Sequence, residues 1–409
     1  MSTESKVFQL IESYRNDMID MQVKLCSLPA ISPQSGGEGE AKKAEYLNEF
    51  LTDIGIKNIR IISAPDLDAA AGFRPNILAR YTGRDSSKTV WIMTHLDIVP
   101  PGELSLWSGN PFKAWIEGGK IYGLGVEDNQ QDMIASLFAL KALLSLGITP
   151  PHDIGIALVS DEEIGSAMGI DYVLKTDHPF REQDLIIVPD AGNEDGSMIE
   201  VAEKSILWLT FKTIGKQAHG STPERGINSL RAASQFIVDL AELYKIFNAR
   251  DTLFDPPIST FEPTKKEPNV QNINTIPGED IFSMDCRILP KYSVEEVEDK
   301  IAEIARHVER TYNVEIFMEE EQRSPAAPAT ATDAPVVRAL QEAVRIVYGV
   351  DAKPIGIGGG TVAGFFRDAN FNAACWSRTD ETAHQPNEYC IIDNMIGDAK
   401  VFAHIFLQE

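Results

Sequence analysis

Imidazole and carboxylate side chains follow short apolar segments at three points along the chain. They are His95 and Asp97 after residues 90–93, Asp161, Glu162 and Glu163 after residues 154–159, and Asp190 after residues 185–188. Each apolar run is too short for a typical helix and is rich in strand-forming residues. Because the carboxyl ends of neighbouring parallel strands meet at one edge of a sheet, we expect these side chains to converge there.

Two further candidates lie in loops. Asp128 follows the glycine-rich turn at residues 123–125, and His384 lies in the polar loop 382–388. Taken singly, every candidate also has a structural explanation: a turn before a helix, a structural histidine, or an acidic helix N-terminus that complements the helix dipole. Phosphate binding at the glycine-rich turn is disfavoured, because no Lys-Ser/Thr pair follows it and Glu127 and Asp128 would repel phosphate.

Taken together, these positions indicate a metal centre. The five sites supply residues of the types His, Asp, Glu, Asp and His, which mix imidazole with carboxylate and contain no thiolate, a set that suits zinc and, less well, cobalt or manganese. Five ligands are too many for one catalytic ion and fit two ions about 3.5–4 Å apart that share a carboxylate. The sequence therefore predicts two Zn²⁺ per subunit, with Co²⁺ or Mn²⁺ as possible substitutes.

The predicted elements place these residues in an α/β domain. Apolar periodicity predicts a helix over residues 7–21 and another over 131–146 that ends at Gly147, with short buried strands between helices. This pattern is typical of a mostly parallel sheet flanked by helices. From about residue 204 the order becomes strand, helix, strand, strand, helix, strand, which is the order of a ferredoxin-like α+β domain.

We therefore predict a discontinuous catalytic domain of residues 1–203 and 321–409, interrupted by an inserted domain of residues 204–320. A Pro/Ala/Thr-rich stretch, 322–333, is expected to be the return linker. Gly356–Gly360 raises the alternative of nucleotide binding, which is weak because no acidic partner for a ribose follows in a βαβ unit.

Composition excludes several classes of partner. The 409 residues contain 37 Lys and Arg against 61 Asp and Glu, a formal charge of −24. Such an acidic chain is a poor partner for nucleic acid or an anionic membrane. Its four scattered cysteines form no disulfide framework, and we expect a cytoplasmic protein because neither a signal-peptide pattern nor an apolar run of about 20 residues is present.

The order of motifs resembles one family. The motifs are His95-x-Asp97, Trp107…Pro111-Phe112, Gly123-x-Gly125-x-x-Asp128, Asp161-Glu162-Glu163-x-Gly165-Ser166, Asp190, Ala218-His219-Gly220-Ser221-x-Pro223 and His384. They resemble the co-catalytic di-zinc peptidases and amidohydrolases: glutamate carboxypeptidase, acetylornithine deacetylase, succinyl-diaminopimelate desuccinylase, aminoacylase and dipeptidases. The resemblance runs from about residue 5 to the C-terminus. It implies a zinc-exopeptidase-like fold in which the inserted domain serves as lid and dimerisation domain.

The resemblance also implies a role for each matching residue. His95 and Asp190 would bind one zinc, Glu163 and His384 the other, and Asp128 would bridge both. Asp97 would orient His95 from behind and Glu162 would be the general base. His219 would reach the active site of the neighbouring subunit. Asn274 and Arg287 would bind a substrate carboxylate. Gly359, Gly360 and Thr361 would form a substrate-binding loop. The run Asn129-Gln130-Gln131 departs from the more usual Met-Lys-Gly-Gly type.

The implied activity is zinc-dependent hydrolysis of an amide bond next to a free carboxylate. Two substrate classes stay open, because the motifs do not separate N-acyl amino acids, as for a deacylase or desuccinylase, from small peptides, as for a dipeptidase or carboxypeptidase. The partner would be a small molecule with a free carboxylate, and the assembly a homodimer through the inserted domain. The alternative is a non-catalytic homologue that binds a ligand or partner in the same cleft.

Overall fold

The computed structural model describes residues 2–409 and divides the chain into two units. Their bounds are Met1–Val201, Ala329–Pro354 and Thr361–Glu409 for the first unit, and Ala202–Pro328 and Ile355–Gly360 for the second. The chain therefore re-enters the first unit at residue 329 rather than 321, because the last strand of the second unit extends to Ser324 and shortens the predicted linker. Residues 355–360 also belong to the second unit, which the sequence did not suggest.

The secondary structure alternates strands and helices along most of the chain. The helices are α1 Thr3–Ser13, α2 Arg15–Cys26, α3 Ala41–Asp53, α4 Gln131–Ser145, α5 Ile170–Thr176, α6 Ser229–Leu240, α7 Leu243–Ile246, α8 Val294–Tyr312, α9 Pro335–Tyr348, α10 Ala363–Asp368 and α11 Ile392–Leu407. The strands are β1 Asn58–Pro65, β2 Phe73–Tyr81, β3 Asp85–His95, β4 Trp115–Glu117, β5 Lys120–Tyr122, β6 His152–Val159, β7 Leu185–Val188, β8 Met198–Glu203, β9 Ser205–Ile214, β10 Ala218–His219, β11 Thr260–Lys266, β12 Thr275–Ile276, β13 Glu279–Ile288, β14 Glu315–Ser324, β15 Lys353–Ile357, β16 Ala373–Cys375 and β17 Tyr389–Ile391.

The large sheet confirms the predicted α/β fold. Its strand order is β1-β2-β6-β3-β7-β16-β8-β15. Neighbouring pairs among β6, β3, β7 and β16 run parallel, whereas β1, β2 and β8 pair antiparallel. The sheet is thus mixed, and its parallel centre consists of the strands whose buried apolar runs the sequence reveals.

The predicted ends of two helices of the first unit can be compared with the structure. Helix α4 is buried on almost every side and is followed by Gly147 at φ +63°, a left-handed conformation that glycine adopts without strain. The predicted opening helix is instead two helices, α1 and α2, which meet at Tyr14 with φ −84° and ψ 4°. Among the helices of residues 2–409, none is long and apolar enough to cross a bilayer.

The second unit confirms the predicted ferredoxin-like sandwich. Its four-stranded sheet has the order β11-β13-β9-β14, and all neighbouring pairs are antiparallel. Helices α6 and α8 supply apolar side chains to its core, including Phe236 and Ile301, which lie with Phe211 and Phe282 from the sheet. Helix α8 begins with a Ser293–Glu296 capping box, which satisfies backbone donors in its first turn.

Candidate metal centre

Three parallel strands end at the same edge of the large sheet. His95 is the last residue of β3 and lies opposite Val159, the last residue of β6, while β7 runs alongside β3 on its other side. The residues that follow β6 and β7 include Glu162, Glu163 and Asp190. The convergence expected from the sequence is therefore present, because parallel pairing brings these carboxyl ends to one edge.

Asp128 lies between two histidines. Its Oδ1 is 2.9 Å from Nε2 of His95, and its Oδ2 is 3.1 Å from Nε2 of His384. His95 Nε2 is also 3.5 Å from Oδ1 of Asp190, and His384 Nε2 is 3.1 Å from Oε2 of Glu163. One carboxylate thus directs one oxygen to each of two groups, which is the geometry that a bridging ligand needs.

Among residues 2–409, three groups of His, Asp and Glu side chains have ligand atoms within 4.8 Å of one another. They are His95–Asp128–Asp190, Asp128–Glu163–His384 and His95–Glu162–Glu163. The first two groups share Asp128 and together contain all five predicted ligands. The third adds Glu162, whose carboxylate lies within 4.8 Å of ligand atoms of His95 and Glu163.

The turn that carries Asp128 depends on glycine. Gly125 has φ +77°, and a Cβ added to it would lie 2.4 Å from Cγ2 of Ile98. Asp128 and Asn129 have non-helical dihedral angles, so the turn interrupts the approach to α4 and exposes the Asp128 carboxylate to both histidines. The glycine-rich motif therefore serves close backbone packing, which is consistent with a turn that positions a ligand.

Without a metal ion, the site draws protons onto both imidazoles. Burial acts to lower the pKa of His95, but hydrogen bonds to Asp128, Asp190 and Asp97 outweigh it and raise that pKa well above its usual range. Hydrogen bonds to Asp128 and Glu163 raise the pKa of His384 to about 11. Burial raises the pKa of Glu162 strongly, and the charge of Asp190 adds to this effect. The buried carboxylates of this site repel one another, and a nearby positive charge stabilises their ionised form.

The donor set fits divalent metal ions. Imidazole nitrogens and carboxylate oxygens without thiolate are the ligands of catalytic zinc, and cobalt and manganese accept the same set. The Nε2 atoms of His95 and His384 face the carboxylates, and a dication bound there would replace the positive charge of a protonated imidazole. The residues present therefore match the requirements of a two-ion centre.

Asp97 lies beside His95 and also contacts the backbone of the two glutamates. Nδ1 of His95 lies 3.1 Å from the backbone oxygen of Asp97, whereas the nearer carboxylate oxygen is 3.6 Å away. The carboxylate instead accepts the backbone N–H of Glu162 at 3.1 Å and that of Glu163 at 3.0 Å. Asp97 thus orients His95 mainly through its carbonyl and the two glutamates through its side chain.

Comparison with known proteins identifies the family of a chain with this geometry. Residues 91–408 match the peptidase family M20/M25/M40. The chain belongs to this family. An uncharacterized metallohydrolase from Methanococcus maripaludis is 40% identical over 416 residues, which cover 97% of this chain and 100% of that protein. A succinyl-diaminopimelate desuccinylase from Nitratiruptor sp. is 24% identical over 383 residues, which cover 91% of this chain and 94% of that protein.

A solved structure supports the same fold assignment. Human carnosine dipeptidase 1 aligns with a TM-score of 0.72 at 20% identity, covering 100% of this chain and 98% of that chain. The family match confirms the predicted resemblance, and this M20 chain is a metallohydrolase.

Two predicted substrate residues meet in a short ribbon of the second unit. Strands β10 and β12 pair so that His219 lies opposite Thr275, and the N–H of Gly220 donates to the backbone oxygen of Asn274 at 2.7 Å. The imidazole is exposed, and its Nδ1 accepts the N–H of Ser221 at 3.2 Å. A neutral His219 therefore carries its proton on Nε2, where it can donate to an anionic oxygen.

Three of the N–H donors of the Arg287 guanidinium are used by neighbours within the second unit. Its Nε and Nη2 donate to the carboxylate of Asp285 at 2.7 and 3.0 Å, and its Nη1 donates to the oxygen of Gly358 at 2.9 Å. The guanidinium also lies over the ring of Trp208. Since a guanidinium has five N–H donors, two stay without these partners and can face a substrate carboxylate.

The glycine-rich stretch has two different parts. Gly356 packs against Phe254, where an added Cβ would lie 2.4 Å from Cε1 of the ring, whereas a Cβ at Gly359 or Gly360 would meet no atom within 4 Å. Thr361 belongs to the first unit, and its hydroxyl accepts the N–H of Ala363 at 3.2 Å. Packing therefore accounts for Gly356, while the role of Gly359, Gly360 and Thr361 in substrate binding stays a prediction.

Several supporting residues were not found from the sequence. Glu127, Asn129 and Glu388 are buried and hydrogen-bond to the backbone around the ligands. Asp161, at φ +69°, is held by Arg74 at 3.1 Å just before Glu162. Asn129 stood out in the sequence as a departure from the usual run, and Asp161 as the first residue of the acidic motif, whereas Glu127 and Glu388 look like ordinary acidic loop residues.

Proposed function

We propose that this M20 metallohydrolase binds two zinc ions and cleaves an amide bond next to a free carboxylate. The observation that carries the proposal is Asp128, whose two oxygens face His95 at 2.9 Å and His384 at 3.1 Å. His95 and Asp190 would complete one metal site, and Glu163 and His384 the other. When bound, the two ions would supply Lewis acidity toward water and toward the scissile carbonyl.

Glu162 is the proposed general base. It lies within reach of His95 and Glu163, and its neighbour in sequence is a proposed ligand. A carboxylate in this position can take a proton from the attacking water and pass it to the leaving amine. The same desolvation that raises the pKa of Glu162 brings the carboxyl group closer to the pKa that such a shuttle needs.

The second unit would supply the groups that recognise substrate. His219, with its proton on Nε2, would stabilise the oxyanion that forms during attack on the carbonyl. The two remaining donors of Arg287 would take up a carboxylate end-on, with Asn274 beside His219 as a further donor. Gly359, Gly360 and Thr361 would allow the substrate to approach the backbone closely.

Two substrate classes follow from the relatives. The Nitratiruptor protein is a desuccinylase, which suggests N-acyl amino acids, whereas the solved structure is a dipeptidase, which suggests small peptides. We propose that the substrate belongs to one of these classes and carries a free carboxylate. The test is a turnover screen of the zinc-loaded protein against N-succinyl amino acids, N-acetyl amino acids and dipeptides. Two bound ions with no turnover on any class would favour the non-catalytic alternative.

The working assembly would be a homodimer formed through the second unit. Strand β14 lies at one edge of its sheet, and Phe317 and Met318 on this strand are 57% and 43% exposed. An unprotected edge strand with apolar side chains is a hazard that a partner strand removes. A cytoplasmic location is a further part of the proposal, and the four cysteines, all buried and unpaired, are compatible with it.

A further inference from the structure

Glu127 and Asn129, the residues before and after Asp128, contact different parts of the site. Glu127 accepts the backbone N–H of Asp380 at 2.7 Å, and it also accepts the backbone N–H and, at 2.7 Å, the hydroxyl of Thr382. These donors lie in the loop that carries His384, two residues beyond Thr382. Glu127 is 5% exposed. A buried carboxylate, which can only accept, matches a cluster of donors and restrains this loop.

Asn129 reaches the other group of ligands. Its Oδ1 accepts the backbone N–H of His95 at 3.2 Å, and its Nδ2 donates to the backbone oxygen of Pro189 at 2.7 Å. An amide suits this place because one neighbour is a donor and the other an acceptor. The side chain is 2% exposed and therefore ties the end of β3 to the residue before Asp190.

Glu388 returns from the His384 loop to the turn around Asp128. Its carboxylate accepts the N–H of Gly125 at 2.8 Å, of Glu127 at 2.9 Å and of Asp128 at 3.1 Å. Glu127 therefore contacts the His384 loop from the turn around Asp128, and Glu388 contacts that turn from the His384 loop. Glu388 differs from Glu127 because it holds the backbone of Asp128, which belongs to both groups of ligands.

We propose that Glu127 and Asn129 set the affinities of the two metal sites separately, Glu127 for the Glu163–His384 site and Asn129 for the His95–Asp190 site. Glu127 restrains the loop that carries His384 through Asp380 and Thr382, whereas Asn129 restrains His95 and the residue before Asp190. Each side chain thus acts directly on segments of one group, so that the ligands there meet the ion with less loss of conformational freedom. Glu388 acts on both sites through Asp128. All three are positioning residues, and the proposal rests on the proposed two-ion centre.

The test measures Zn²⁺ affinity in two backgrounds that each keep one site. His384→Ala retains the His95–Asp190 site, and Asp190→Ala retains the Glu163–His384 site. Competition with a chromophoric chelator gives the dissociation constant of the remaining ion. Removing a partner that orients a ligand costs about 10- to 100-fold in metal affinity. We therefore expect a loss of this size for Asn129→Leu in the His384→Ala background and for Glu127→Gln in the Asp190→Ala background.

The crossed combinations are the decisive ones. Glu127→Gln in the His384→Ala background and Asn129→Leu in the Asp190→Ala background should change affinity less than about 3-fold, below the usual range for such partners. Glu388→Gln should weaken the ion in both backgrounds. Equal losses in both backgrounds for Glu127→Gln or Asn129→Leu would overturn the proposal, as would no loss in either.

A matched control separates positioning from general destabilisation. Asp184 is a buried carboxylate that accepts the N–H of Thr89 at 2.8 Å and of the Trp91 indole at 2.9 Å, away from the ligand loops. Asp184→Asn should lower the unfolding temperature and leave Zn²⁺ affinity unchanged. If Asn129→Leu fails to fold, Asn129→Asp replaces it, since Asp keeps the acceptor for His95 and loses the donor to Pro189.

The outcome for the unsubstituted chain distinguishes the two proposals. A chain that binds no Zn²⁺ at micromolar concentration would overturn the two-ion centre and this inference together. Two bound ions with site-independent effects of the variants would overturn only the separate roles of Glu127 and Asn129.

Discussion

Asp97 and Glu163 are joined by a hydrogen bond of 3.0 Å from the backbone N–H of Glu163 to the Asp97 carboxylate. The second carboxylate oxygen accepts the N–H of Glu162 at 3.1 Å. One buried side chain therefore fixes the backbone of the proposed base and of a proposed ligand, while its carbonyl holds His95.

Asp97→Asn should weaken the site without abolishing it. The amide would turn a donor toward one of the two N–H groups, so that one hydrogen bond is lost. We expect metal affinity or kcat/KM to fall by about 10- to 100-fold, the usual effect of removing such a supporting partner. Zinc competition and steady-state kinetics measure both. Unchanged values in a folded variant would show that the carboxylate has no part in positioning.

Glu162 and Glu163 should respond differently to the same substitution. Glu162→Ala should keep both ions and turn over at least about 100-fold more slowly, since loss of a general base typically costs 10²–10⁴. Glu163→Ala should lose an ion. Elemental analysis and kcat on the two purified variants decide the matter. The opposite pattern, with metal lost only from Glu162→Ala, would mean that the two roles are reversed.

Metal binding should release protons from the two histidines. In the metal-free chain at pH 8 the imidazole of His384 holds a proton, because its pKa is raised to about 11. The pKa of His95 is also raised well above its usual range, by hydrogen bonds to carboxylates that outweigh burial. An imidazole must lose its proton to bind the ion, so we expect about one proton per histidine. Calorimetry in buffers of different ionisation enthalpy counts them.

The variant His384→Ala provides the control for this count. It should bind about one ion instead of two and release about one proton fewer, because one of the two sites loses its only imidazole. Two ions bound at full affinity by His384→Ala would contradict the assignment of His384 as a ligand.

The structure brings the five candidate ligands together for a physical reason that the sequence already indicates. His95, Glu163 and Asp190 each follow a buried strand, and parallel pairing leaves those strand ends little freedom. Asp128 and His384 lie in loops, where no strand end fixes their positions. The mixture of imidazole and carboxylate groups suggested a shared site, and the family resemblance assigned the role of each residue.

The supporting contacts could not be predicted in the same way. The bond from Thr382 to Glu127 joins residues 255 positions apart, and nothing local in either segment indicates it. Asp97 contacts His95 through its backbone oxygen and Glu162 through its carboxylate, and this division depends on the backbone conformation of a tight turn. The excursion of residues 355–360 likewise follows from packing of Gly356 on Phe254, which is a long-range contact.

Stability of the metal-free chain should depend on pH through Asp398. Burial raises the pKa of this carboxyl to about 7, despite donors from Tyr348 and Gln131. The folded chain keeps a proton that the unfolded chain loses near pH 4, so this contribution to stability is complete below about pH 4 and is lost as the pH rises to about 7. A shift of one unit corresponds to about 1.4 kcal/mol.

The variant Asp398→Asn isolates this contribution. The amide stays neutral, so its stability should rise relative to the unsubstituted chain by a few kcal/mol (order of magnitude) between about pH 4 and 7. Urea unfolding in the presence of a chelator, at several pH values, measures the difference. A difference that is constant with pH would mean that Asp398 is ionised in the folded chain.

The last prediction concerns the exposed imidazole of His219. If it acts on the partner's substrate, chains with Glu162→Ala and chains with His219→Ala are each nearly inactive, yet a mixed dimer holds one site with both groups intact. After subunit exchange about half of the dimers are mixed, and each has one good site in two, so activity should return toward about one quarter of the unsubstituted level. Exchange is verified with differently tagged chains. No recovery despite exchange would mean that His219 acts within its own chain or not at all, and a monomer in sedimentation at the assay concentration would remove the basis for action between subunits.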